Sequence, residues 1–203
     1  TEKAFKDGAA QTLAHTTLQS AEMLPVNVVD KINDDEKTVT DYAGAGDLVW
    51  VTNIGTSTSV GTASAKYTDV TDAATTTNGK YYLKNTFKIR LDPTAGATEA
   101  AKPLTIAAIS TNESADAFKG CLSVLVVSKV GETSYGQVWD YNGSAFVKKL
   151  GANDLSGSVF TAANPATVDI YVFFNGDDAD CTQEKLAAAR SANYTVEIQF
   201  TVA

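Results

Sequence analysis

An all-β fold, a two-sheet sandwich of jelly-roll or Greek-key kind with one short helix near the C-terminus, is what this sequence predicts. Two segments carry most of the weight: residues 80–92 (KYYLKNTFKIRLD) and 193–202 (NYTVEIQFTV) alternate polar and apolar residues almost without interruption. Tyr81, Leu83, Phe87, Ile89 and Leu91 share one face of the first, opposite Lys80, Lys84, Lys88 and Arg90. Tyr194, Val196, Ile198, Phe200 and Val202 do the same in the second. A period of two marks a strand with one face buried and one wet, as antiparallel sandwiches require. The third observation is a chain of short β-rich runs separated by Gly, Asn, Asp and Ser turn signals.

Strands are expected at residues 24–29, 38–42, 47–53, 65–70, 80–91 and 104–110, and then at 121–130, 137–141, 145–149, 158–161, 168–175 and 194–202. Three Asn-Gly pairs, at residues 78–79, 142–143 and 175–176, fall between such runs. Asn and Gly both tolerate positive φ, so residues 138–147 (VWDYNGSAFV) predict a hairpin with a type I′ turn. Residues 182–191 (TQEKLAAARS) predict the helix, with Thr182 as its cap and an Ala-rich interior. At 203 residues one sandwich domain, residues 21–203, is the expectation; a chain of that size buries roughly 70% of its unfolded surface. Residues 1–20 (TEKAFKDGAAQTLAHTTLQS) follow neither period and offer only Phe5, Leu13 and Leu18 as large apolar groups. They read as an extension, a candidate donor strand.

Composition narrows the function. A net charge of -8 and a pI near 4.6 argue against nucleic acid as a partner, since phosphate binding needs a concentrated Lys/Arg surface. No apolar run approaches the ~20 residues of a membrane-crossing helix. The Thr-, Ser- and Gly-rich texture, as in residues 55–65 (GTSTSVGTASA), predicts an extracellular, cell-surface location. The start at Thr1-Glu2-Lys3 fits a mature exported form, although an edited chain would look the same. An oxidising compartment in turn predicts a disulfide between Cys121 and Cys181, the only cysteines, which lack the CxxC spacing of metal sites. Two buried thiols are the alternative.

No enzyme motif is present: neither HExxH nor GxSxG, nor a Gly-rich phosphate loop. The single histidine, His15, lies in the N-terminal extension with nothing in the sequence to orient it. The expectation is therefore a protein without catalytic residues or cofactor. Calcium is the one ion its composition invites, through Asp30, Asp34, Asp35 and Glu36, and through Asp177, Asp178, Asp180 and Glu184. Asp-rich loops supply the six to eight hard oxygens calcium takes. Neither cluster matches an EF-hand, and carboxylates before a helix are favoured without any metal.

Tyr135, Gln137, Trp139 and Tyr141 share parity on one strand. An exposed row of that kind would stack on sugar rings, which makes a monomeric carbohydrate-binding or adhesive module the alternative function; a buried row is core or subunit interface. Asn112, Asn142 and Asn193 open N-x-S/T sequons, which matter only in a glycosylating lineage.

Residues 166–182 (ATVDIYVFFNGDDADCT), the helix and the terminal strand resemble the end of secreted prokaryotic surface proteins of the broad TasA/camelysin type. The run YYLKNTFKIRL and the small apolar strands up to residue 130 resemble their middle. The resemblance implies a jelly-roll subunit that polymerises with copies of itself into extracellular fibres of a biofilm matrix, an N-terminal segment completing a neighbour's sheet by donor-strand complementation. Camelysin-like relatives are described as metalloproteases, and this chain shows no residues to carry that activity. The expected function is thus a non-enzymatic filament or surface-matrix subunit, with Phe5, Leu13 and Leu18 as the groups its donor strand inserts.

Overall fold

The computed structural model describes residues 2–5, 11–18, 23–34, 38–52, 67–76, 80–92, 94, 100–111, 121–150, 155–191 and 194–202, the first two stretches as backbone only. Its largest sheet has six strands in the order β1 (Glu2–Phe5), β7 (Tyr82–Leu91), β13 (Ala166–Phe174), β9 (Leu122–Val130), β10 (Thr133–Tyr141) and β11 (Phe146–Leu150). A four-stranded sheet runs β12 (Val159–Phe160), β8 (Lys102–Thr111), β14 (Tyr194–Val202) and β2 (Gln11–Leu18). A smaller one runs β4 (Val39–Asp41), β3 (Asn27–Ile32), β5 (Val49–Thr52) and β6 (Thr68–Asp69). Two helices are described, α1 (Thr71–Thr76) and α2 (Gln183–Ser191). No helix among the described residues is long and apolar enough to cross a membrane.

The all-β sandwich holds. The alternation in β7 and β14 does what period two demands, since Ile89 and Leu91 join Val196, Ile198, Phe200 and Val202 in one buried cluster. Leu104 of β8, Val124 and Val126 of β9, and Val168, Ile170, Val172 and Phe174 of β13 complete its two walls. Each such side chain contributes about 1.5–3 kcal/mol on leaving water.

The third sheet is an addition to the two expected. It packs on the other face of the six-stranded sheet, where Val28 of β3, Trp50 of β5 and Ala74 of α1 meet Tyr82, Leu125, Val138, Tyr171 and Phe173. This is why β13 reads IYVFF: a strand covered on both faces has no wet side on which to keep alternating. The face of β7 expected to be wet is therefore divided. Tyr82 is buried and Lys88 exposed, while Lys84 lies between them and bridges Asp169 at 2.9 Å.

Local signals fared unevenly. Thr182 Oγ1 accepts the Lys185 N–H at 3.3 Å, which caps α2 as expected. The hairpin at Asn142-Gly143 forms, but its strands pair at Tyr141 and Phe146, so the loop has four residues and is not a two-residue type I′ turn. The Asn142 side chain shapes it by accepting the Ser144 and Ala145 N–H groups at 3.0 and 2.9 Å, with Gly143 at φ 96°. Asn175-Gly176 makes no hairpin either. Asn175 bridges Val26 in parallel, and the Gly176 N–H donates to the Val26 carbonyl at 3.1 Å. Asn78-Gly79 lies outside the described residues, as do Asn112 and Asn193.

Candidate functional site

The N-terminal extension, which follows no hydrophobic period, forms the outermost strand of both large sheets. β1 lies parallel to β7, the only parallel strand pair among the described residues, with Lys3 level with Ile89 and Phe5 with Leu91. β2 runs antiparallel to β14 and lies against β7, so both strands border one flank. Leu18 is level with Tyr194, Thr16 with Val196 and Ala14 with Ile198. Leu13 falls at the register shift between Ala14 and Thr12, so it has no ladder position of its own opposite β14. An edge strand is held largely by backbone hydrogen bonds to one neighbour, which ask little of side-chain pattern.

The acidic loop after β13 does not gather its four carboxylates. Asp177 accepts from Asn27 Nδ2 at 3.3 Å and from the Tyr67 hydroxyl at 2.5 Å. Asp178 accepts the Asp180 N–H at 2.8 Å, while Asp180 and Glu184 are exposed. Of the first cluster, Asp30 accepts the Ala43 N–H at 3.2 Å, and Asp35 and Glu36 lie outside the described residues. Among the described residues no three Asp, Glu, His or Cys converge as metal ligands.

What the loop does form is a cleft of about 160 Å³, where Asp177 and Asp178 meet Asn27, Asp41, Asp140 and Lys149. Asn27 and Asp140 are its buried members, each 6% exposed. Asp140 accepts from the Ser123 hydroxyl and faces Lys149 Nζ at 3.8 Å. Burial pushes its carboxyl above the ordinary aspartate value, and Ser123 and Lys149 pull it partly back.

The disulfide is a correction. Cys121 and Cys181 are both fully buried in the larger core cluster, and no disulfide joins them. The tie between strand and loop runs instead through the backbone: the Asn175 N–H donates to the Cys121 carbonyl at 2.8 Å, and the Cys181 N–H to that of Asp178 at 2.9 Å. Each thiol serves as a small apolar group.

The aromatic row of β10 faces inward. Tyr141 is 3% exposed and packs on Phe146 with ring centroids 5.3 Å apart, while Tyr135 and Trp139 are half-buried against the same core. Tyr135 also lies over Gly157, where a Cβ would come within 2.4 Å of its ring. The row is a sandwich wall.

Trp50 and Tyr42 are residues that pattern reading passed over. Trp50 sits 4.6 Å from Tyr82, 5.5 Å from Tyr171 and 5.3 Å from Phe173, at the centre of the second core. Tyr42 is 1% exposed and its hydroxyl has no hydrogen-bond partner. The signal available was the pairing of VWVT with the apolar run IYVFF, which needs a cover on its second face. Compared with protein-family models, curated proteins and solved structures, the chain gives no match.

Proposed function

We propose that this protein is a non-enzymatic extracellular subunit that polymerises with copies of itself into a filament or surface matrix by strand addition. The observation that carries the reading is the place of residues 2–18, which supply an edge strand to each of the two large sheets. A strand at a sheet edge is hydrogen-bonded to one neighbour only, so it can engage a neighbouring subunit while the sheet behind it stays intact. Backbone hydrogen bonds then supply affinity, and alternate side chains supply selectivity. A head-to-tail contact that does not close generates a fibre. The resemblance of residues 80–130 and 166–202 to secreted fibre subunits supports the same reading. The carbohydrate-binding alternative loses its main support with Tyr141 buried and Tyr135 and Trp139 packed on the core.

Removal of residues 1–20 tests it. The truncated chain is expected to keep its β-sheet circular dichroism and a cooperative melt while forming no fibres in negative-stain images. Fibres assembled normally by the truncated chain would overturn the assignment of this segment as the added strand.

A further inference from the structure

We propose that the acceptor of the added strand is the outer edge of β8, so that the four-stranded sheet of one copy continues into that of the next, with β2 laid along residues 105–111. This rests on the strand-addition reading and names its receiving surface. β12 pairs with β8 only at Lys102 and Pro103, and the Leu104 N–H reaches the Ser158 carbonyl at 3.3 Å. Beyond that point, among the described residues, β8 has a ladder partner only on its β14 side. Among the described residues no ladder occupies its other side over residues 105–110, and the turn Leu155–Gly157 lies against the strand near Leu104.

Charge separates the two large sheets. An exposed edge is ordinarily guarded by charged residues, Pro or bulges, because its free backbone groups template pairing with another chain. The six-stranded sheet is guarded in this way: β1 contains Glu2 and Lys3, and β11 contains the exposed Lys148 and Lys149. The four-stranded sheet lacks that charge, although β8 has Pro103 near its start and an extra residue at Ala107, and β2 has one at Leu13. β8 from Pro103 onward reads PLTIAAIST and β2 reads QTLAHTTL, with no Asp, Glu, Lys or Arg in either, in a chain that is 20% charged. β2 is one edge of that sheet, and β8 is the other beyond the two residues that β12 covers.

The core beneath the β8 edge is incompletely roofed. Ile106 and Ile109 face it and stay only partly buried, as do Trp139 and Phe146 on the opposing wall. Gln137, on the same face of β10 as Tyr135 and Trp139, is 4% exposed, and its Nε2 has no acceptor. A further strand beside β8 would extend the cover over Ile106 and Ile109. Because β2 and β8 are unlike edges on opposite flanks, joining them repeats without closing. A second copy of this chain is therefore the occupant that fits.

The test places lysine on the acceptor. Ala107 and Ala108 are exposed, so the full-length A107K/A108K variant is expected to melt like the wild type yet lose pelletable polymer by about tenfold or more. V147K on β11 should assemble normally. A peptide of residues 11–18 added to full-length wild type should slow amide exchange at residues 105–111 by about tenfold, and should not do so in the lysine variant. Wild-type-like polymer from A107K/A108K overturns the β8 assignment while leaving strand addition standing. A wild type that never polymerises defeats the filament reading instead. In that case the peptide decides the acceptor, and unchanged exchange at residues 105–111 overturns it.

Discussion

Tyr42 and Gly136 are coupled by a contact that a double-mutant cycle can measure. A Cβ on Gly136 would lie 2.2 Å from the Tyr42 hydroxyl oxygen and 3.0 Å from two ring carbons. The ring is 1% exposed and has little room to swing away. Overpacking of this kind costs about 1–3 kcal/mol, so G136A should be destabilising by that amount. Tyr42→Phe removes the atom at 2.2 Å and also a buried hydroxyl with no partner. Burying an unbonded hydroxyl costs about 1–3 kcal/mol, so Y42F alone should be neutral or stabilising. Burial, with Asp30 next, holds the phenol protonated well above its ordinary range, so the result should not depend on pH near neutrality. In the Y42F background the cost of G136A should shrink, with a coupling of about 0.5–3 kcal/mol. Urea unfolding at constant m-value reads these differences, and each kcal/mol should move Tm by about 2–4 °C. Additive single mutants, or a Y42F variant destabilised by more than about 1 kcal/mol, would refute the reasoning, the second by showing that the hydroxyl is satisfied after all.

Asp140 gives a pH-dependent test. Its folded-state pKa is raised above the ordinary 3.8, chiefly by burial, so the native state holds that proton to higher pH than the unfolded chain. The ionised carboxylate therefore costs stability at neutral pH, and the cost fades as pH falls through the folded value toward 3.8. D140N should match or exceed the wild-type Tm at pH 7 and lose any advantage near pH ~4. A D140N variant that melts well below wild type at pH 7 would mean that the bridge to the half-exposed Lys149 outweighs burial. For Cys121 and Cys181, a thiol reagent should label neither in the native protein and both after unfolding without reductant. Failure to label the unfolded, unreduced chain would restore the disulfide.

The primary structure by itself determined the sandwich and most of its strands. Period two is set by the pleat, so Leu83 to Leu91 and Val196 to Val202 declare their buried faces without knowledge of the partner, whereas Tyr81, expected on the first of those faces, packs in the second cluster beside Trp50. The cap at Thr182 is equally local, a hydroxyl three residues from the N–H it accepts. The tertiary structure alone decided the rest. β1 and β2 follow no hydrophobic period because an edge strand is held mainly by its neighbour's backbone, and backbone donors and acceptors are the same at every residue. The third sheet was hidden because IYVFF states only that both faces are covered, not that Trp50 covers one of them. Cys121 and Cys181 lie 60 positions apart, and whether such thiols bond or merely fill a core depends on the relative placement of their Cβ atoms. The cleft around Asp140 likewise joins the ends of β10 and β13 to β11 and β3. Its carboxylates stand at spacings that no local rule connects, because the chain brings them together only when the sheets close.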